Sequence, residues 1–444
     1  MRKPAIETVA ALNPYGYLQD LQTSVGARVA GTAGEAQAQH WLEQQIRALG
    51  LVPELMAFQY QPETWLTRVR SLGIALGMVA LTLLSLVVNP WLILLGIGIV
   101  LVVFGPVWRR LERNSAQQIG HNVIAGVSRP WSEIVAAPRD RLLFVCAHYD
   151  TAPTMPAWRS RLSRMNDSIA GLAFLGVVGL AFYCLVSGTL SILQGSAGWA
   201  AVWATIVAHF WQQIGVWLVF VAGLPGTVVV LLSALSYQPS GRRPENPGAD
   251  DNGSGVAVML GITGQVKQTP LPGWDVVAAF WDAEESGLWG SDAFVETYGS
   301  KLDPANTVII NVDTVGRGEC LMAVSGQGVL RRQAVDETLL QAWERSCKAV
   351  AACTIREWLT PLTGSSDHAA WLNADFRKAI SIGRGDLVPI ALPTRMLNKV
   401  LAVPTGQKQT DVSHIHSADD SLNRIRPGCL QETAAAIWTL MRSL

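Results

Sequence analysis

Four stretches of this 444-residue chain set acids or a histidine directly beside apolar runs. LLFVCA leads into His148-Tyr149-Asp150, DVVAAFW into Asp282-Ala283-Glu284-Glu285, and NTVIIN, with Val312, into Asp313. PGADDNGSG places Asp250-Asp251 at the entrance to a helix. One acid at a strand end is ordinarily a turn former or a helix cap. Several brought into one cleft repel each other unless a cation neutralises them. Imidazole and carboxylates without thiolates suit a catalytic zinc site, with one ion or two. Two ions roughly 3.5–4 Å apart generate hydroxide near neutral pH and clamp a tetrahedral intermediate. The Glu284-Glu285 pair suits that chemistry, because adjacent side chains diverge: one can bind metal while the other moves protons. Asp150, two residues after His148, can hold the second imidazole nitrogen and fix the tautomer. A second histidine is needed, and His368, His414 and His416 are the candidates.

These residues must be positioned by regular elements. Strand-like runs cover Asn122–Val127, Leu142–Ala147, Val276–Trp281, Thr307–Val312 and Ala379–Ile382, with helical stretches between them, including Gly255–Val266 and Pro427–Leu444. An earlier helix, GEAQAQHWLEQQIRALG, carries Leu42, Ile46 and Leu49 on one face and stops at Gly50. Nearly continuous apolar strands alternating with helices indicate an α/β fold with a mostly parallel central sheet. Ligands of such sheets gather at the carboxyl ends of the strands. The acids lie at those ends.

Composition adds a second theme. Charged residues make up 15% of the chain, half of it is hydrophobic, and the net charge is zero, so nothing points to nucleic acid. Cys146, Cys184, Cys320, Cys347, Cys353 and Cys429 form no CxxC pair and do not resemble a disulfide framework. The N-terminal stretch has no apolar signal core, so no cleaved signal peptide is expected. Ser71 to Trp108 and Ser168 to Gly241 contain no charged residue. Asn89-Pro90 halves the first tract into pieces of about 18 residues, long enough as helices to cross a bilayer core. The second offers a span over 169–190, a polar island at His209, Gln212 and Gln213, and a second span over 214–235. Arginines flank both tracts and are absent from the turns inside them, which orients the polar parts towards the cytoplasm. The flanks of each tract belong to one sheet, so the number of crossings must be even. The expectation is four transmembrane helices in two inserted hairpins, 71–108 and 168–241. They interrupt a soluble domain made of 1–70, 109–167 and 242–444, with the bilayer as a partner and a multi-pass location.

HYD, PGADDNGSG, DAEESGLWGS, NVDTVG, SSDHAAW and HIHSADDSL occur in the order and character of the M28 family of zinc aminopeptidases. The resemblance covers essentially all the polar pieces. It implies a three-layer α/β/α zinc-exopeptidase-like domain holding two Zn2+ ions. His148, Asp313 and Asp251 would hold one ion, and Glu285, His416 and the shared Asp251 the other. It further implies Glu284 as general base acting with a metal-bridged hydroxide nucleophile, Asp150 as the residue orienting His148, and peptides as substrates. His368 is then expected near the pocket or supporting it, and His414 in a polar loop. Tyr149 and Trp289 are expected to pack, and Arg384 to be a solvated loop residue rather than a contact for a substrate carboxylate.

Two other readings use the same residues. A glutaminyl-cyclase-like acyltransferase would work with a single zinc, against which the five-ligand set speaks. A catalytically dead membrane receptor or scaffold would lack Glu284 or a ligand, and none is missing.

Overall fold

Strand β4, Trp274–Trp281, is buried at every position, as is β5, Thr307–Val312. A strand whose side chains alternate between two faces is buried throughout only when both faces are covered. The computed structural model describes residues 13–61, 118–154, 182–195, 198–218 and 245–444 (without 329–330, 361–363, 391, 401, 405 and 412–413) and isolated positions between 73 and 114. Over these residues one sheet runs in the order β1-β2-β4-β3-β5-β9-β6-β7, with β10 on β9 and β8 on β6. Its strands are β1 (Glu54–Tyr60), β2 (Gln118–Gly126), β3 (Arg141–His148), β4, β5, β6 (Cys320–Gln327), β7 (Gln333–Ala334), β8 (Cys353–Leu359), β9 (Ala379–Pro389) and β10 (Lys408–Asp411).

The four central strands, β4-β3-β5-β9, are parallel, whereas β1, β2 and β6 join antiparallel. The sheet is therefore mixed, with a parallel centre, rather than mostly parallel throughout. The chain passes from β3 to β4 on one side and returns to β5 on the other, so the carboxyl ends of β4, β3 and β5 lie side by side at a switch in direction. Register aligns His148 with Trp281 and Cys146 with Asn311.

Helices cover the sheet. Helices α1 (Pro14–Ser24), α2 (Ala33–Ala48), α3 (Trp131–Ala136), α4 (Trp199–Leu218), α5 (Gly255–Gln268), α6 (Trp289–Tyr298), α7 (Glu337–Ala349), α8 (His368–Asn373), α9 (Leu392–Val400) and α10 (Pro427–Ser443) follow in chain order. Local signals set their starts. Asn13 caps α1 through Gly16 N, with Pro14 in the first turn, and Asp336 caps α7 through Thr338 N and Leu339 N. Helix α5 packs on β3, β4 and β5 and against α1 and α10, while α6 and α8 pack together. Phe144 of β3 meets Phe294 of α6, Trp371 of α8 and Trp131 of α3 with ring centroids 5.6, 5.0 and 5.7 Å apart.

Two expectations are corrected. Among the described residues no helix is long and apolar enough to cross a membrane. The four transmembrane helices in two hairpins, and the multi-pass location built on them, therefore find no support among the described residues. Most of 71–108 lies outside the described residues, as do 168–181 and 219–241 of the second tract. Within that tract, α4 is 20 residues long, and its apolar sequence is broken by His209, Gln212 and Gln213. Absence of charge over a tract is a weaker property than a continuously apolar helix. The second correction concerns sulfur: Cys320 and Cys353, opposite each other on β6 and β8, form a disulfide. Its sequence separation of 33 carries no motif.

Phe294 is fully buried and touches five aromatic rings, those of Trp131, Phe144, Trp281, Tyr298 and Trp371. Phe294→Ala should therefore destabilise the protein by about 3–5 kcal/mol, the usual range for emptying a buried aromatic site. Equilibrium denaturation of the variant beside the wild type measures this.

Candidate metal centre

Strand β3 ends at His148, and the chain turns inward through Tyr149 and Asp150, both buried. Asp150 then serves two strands at once. Its Oδ1 faces His148 Nδ1 at 3.4 Å and accepts from Glu284 N at 3.1 Å, while its Oδ2 accepts from Glu285 N at 3.1 Å. The turn beyond β4 is thereby fastened to the turn beyond β3. Asp282 helps shape it: its Oδ1 accepts from Ala283 N, and its Oδ2 accepts from His121 N. Ala283 adopts φ +54° at this bend.

The Asp250-Asp251 pair enters between β3 and α5. Gly248, at φ +57°, begins this approach; a Cβ there would lie 2.2 Å from Thr151 Cγ2 and 2.5 Å from Asp251 O, so no larger residue fits. Asp420 Oδ1 and Oδ2 accept from the backbone N–H groups of Asp250 and Asp251 at 2.6 and 3.0 Å. The Asp251–Asn252 peptide bond is cis.

Two groups of donors result. His148, Asp251 and Asp313 form one, and Asp251, Glu285 and His416 the other, each with one ligand atom per residue lying within 4.8 Å of the rest. Asp251 belongs to both. Its Oδ1 lies 3.2 Å from His148 Nε2, and its Oδ2 lies 2.9 Å from His416 Nε2. Asp313 Oδ1 is 3.7 Å from His148 Nε2, and Glu285 Oε2 is 3.2 Å from His416 Nε2. Nitrogen and oxygen donors without sulfur, in two triads sharing one carboxylate, fit divalent transition metals such as zinc.

The electrostatics agree. Burial alone would lower the imidazole pKa values, yet His148 and His416 are held well above the ordinary value, His148 by Glu284 and the carboxylates of Asp150, Asp251 and Asp313 beside it, His416 by Glu285 and Asp251. Burial raises Asp251, but hydrogen bonds to His148 and His416 outweigh it and hold its carboxyl well below the usual range. Burial lifts Glu285 to about 7 against the pull of His416. It also lifts Glu284 well above the usual range; His148 pulls back, while Asp367, Glu285 and Asp313 add to the rise. The cluster calls for cationic charge, which protons on the histidines supply when nothing else does.

All seven residues singled out in the sequence converge here: His148, Asp150, Asp251, Glu284, Glu285, Asp313 and His416. Of the remaining histidines, His414 is no loose loop residue. Its Nε2 lies 2.6 Å from Asp250 Oδ2, whose other oxygen accepts from Gly316 N, so it ties the His416 loop to the Asp251 loop. His368 begins α8, lies outside both triads, and is pushed by burial down to about 4, hence neutral at pH 7. Arg384 is not solvated. It sits buried on β9, donates to Gly318 O and pairs with Glu432. Arg28 carried no signal in the sequence, because its guanidinium acts on carbonyls more than a hundred residues away, whereas Asp420 lies within HIHSADDSL and reaches back to the backbone of Asp250 and Asp251.

Comparison with known proteins follows the same line. Residues 233–441 match peptidase family M28. A probable leucine aminopeptidase of Trichophyton verrucosum is 24% identical over 241 residues, covering 52% of this chain and 58% of that protein. Aminopeptidase YwaD of Bacillus subtilis is 32% identical over 136 residues, covering 31% of this chain and 29% of its own. The chain thus spans less than two thirds of the length of these curated relatives. Among solved structures, a zinc aminopeptidase from Bacillus subtilis superposes with a TM-score of 0.50 at 13% identity, covering 97% of this chain and 94% of its own. The glutaminyl cyclase of Porphyromonas gingivalis does so with 0.50 at 14%, covering 97% of each chain. At such identities the likeness shows the fold.

Asp150→Asn keeps the volume but replaces one of the two acceptor oxygens with an NH2 donor. Zinc retained after dialysis should fall about 10–100-fold in affinity, the usual effect of removing a partner behind a metal-binding histidine. Metal analysis against buffered zinc reads it directly. Residues 233–441 thus resemble peptidase family M28 and carry Asp251, Glu285, Asp313 and His416 of the two triads, with His148 contributed from outside the match.

Proposed function

We propose that the protein is a dizinc aminopeptidase that removes N-terminal residues from peptides. The observation that carries this reading is the position of Asp251, one oxygen towards each histidine, which suits a carboxylate shared by two metal ions. His148 and Asp313 complete one ligand set with it, and Glu285 and His416 the other. Bound zinc would supply Lewis acidity towards the scissile carbonyl and would acidify water.

Glu284 is the general base. It is largely buried, has no place in either triad, and burial keeps its proton affinity high. That favours a carboxylate able to take a proton from the attacking water and return it to the departing amine nitrogen as the C–N bond breaks. Asp150 holds the backbone of Glu284 and faces the ring of His148, so base and ligand keep a fixed relation. Glutaminyl-cyclase chemistry is available to the same fold; sharing of Asp251 between two triads favours the peptidase.

The test uses the full chain, stripped by chelation and reloaded with zinc, acting on a free-amine peptide, its N-acetylated form and a peptide beginning with Gln. Zinc-dependent release of the first residue from the free-amine peptide, and not from its N-acetylated form, is expected. Glu284→Gln should lower kcat by about 10²–10⁴, the usual share of general-base catalysis, with its zinc retained. Cyclisation of the Gln peptide with loss of ammonia and no peptide cleavage would replace the reading with a cyclase. Loss of neither residue nor ammonia would leave a binding protein.

A further inference from the structure

We propose that Arg28 is a positioning residue for the metal ligands, using its guanidinium to hold the loop after β3 and the loop before Asp251 in one fixed relation. This rests on the dizinc reading of the site. Arg28 lies in the connection between α1 and α2, far in sequence from every ligand, and is fully buried. Its donors go to carbonyl oxygens on both loops. Nε donates to Tyr149 O at 2.7 Å, the carbonyl between His148 and Asp150. The NH2 nitrogen donates to Gly248 O at 2.8 Å, and NH1 donates to Pro247 O at 2.9 Å and Gly26 O at 2.6 Å. Its backbone joins the same assembly: Arg28 N donates to Thr151 Oγ1 at 2.9 Å, and Thr151 N donates to Arg28 O at 3.1 Å.

A planar fork suits this task because its donors diverge in one plane at fixed angles, so two separate carbonyls are held at one separation. Contact between the loops leaves little room for a substitute. Gly248 Cα sits against Thr151 so closely that a Cβ there would also come within 3.1 Å of the Arg28 NH2 nitrogen. Burial lowers Arg28 to about 10, with Asp420, Asp150, Asp251 and Glu285 working to raise it, so it remains a cation at neutral pH behind the acids of the centre. Lysine would keep that charge and lose the fork.

Arg28→Lys and Arg28→Gln in the full chain separate the two contributions. Folding is checked by circular dichroism and thermal melting, zinc affinity by titration against a zinc buffer, and kcat and KM with a free-amine peptide. Both variants should fold and bind zinc at least about tenfold more weakly, in line with loss of a partner behind the ligands. The value of kcat should drop with KM changed little, and Lys should not rescue it. Wild-type zinc affinity and kcat in both variants would overturn the assignment. Failure of both to fold would overturn it in favour of a purely structural arginine. If the wild type binds zinc but cleaves no peptide, the aminopeptidase reading fails, while the zinc affinities of the two variants still decide the role of Arg28.

Discussion

Asp251 faces two histidines that lie far apart in the sequence, one at the tip of β3 and one in the loop before α10. Around it lie Glu284 and Asp150, both buried, and Glu285 and Asp313, both partly so, in a space where water shields them poorly. Like charges cannot be gathered in a buried cleft without cations among them. That constraint organises everything nearby. The sheet brings strand ends together, the supporting hydrogen bonds hold their carboxylates apart at fixed angles, and the histidines stand where positive charge is required.

The supports form a connected set rather than a ring of independent contacts. Asp150 binds the turn after β4 to the tip of β3, Asp420 accepts from the backbone of both members of the Asp250-Asp251 pair, and His414 returns from the His416 loop to Asp250. His416 itself adopts φ +58°, a costly conformation for a residue with a side chain, and one that persists only where its surroundings over-determine it. Beneath them the aromatic cluster around Phe294 fills one face of the sheet and touches Trp281, whose carbonyl accepts from Tyr149 N. Core packing and site geometry therefore meet at the same strand ends.

Much of this was legible in the residues themselves. Continuous apolar runs revealed β3, β4 and β5, and the acids that close those runs marked residues that the fold brings together, because a buried parallel strand and a polar strand end each leave a local mark. The outer strands β1, β6, β8 and β10 left none: they are short or of mixed polarity, and β1 alternates between exposed and partly buried positions. Arg28 and the Cys320–Cys353 pair depend on contacts distant in sequence, which no local pattern encodes. His414 looked like a loop residue because its partner lies 164 residues away. The charge-free tracts misled for a different reason. They record composition, whereas a bilayer span requires an unbroken apolar helix, and α4 carries two glutamines and a histidine in its second half.

The proposed dizinc centre requires Asp251 to be shared between two metal ions. Zinc content of the purified full chain, reloaded from buffered zinc and compared with His148→Ala, His416→Ala and Asp251→Ala, measures it most directly. Two zinc ions in the wild type, about one in each histidine variant and neither retained in Asp251→Ala is the expected pattern. A wild type that holds a single zinc, lost with one histidine and untouched by loss of the other, would contradict it.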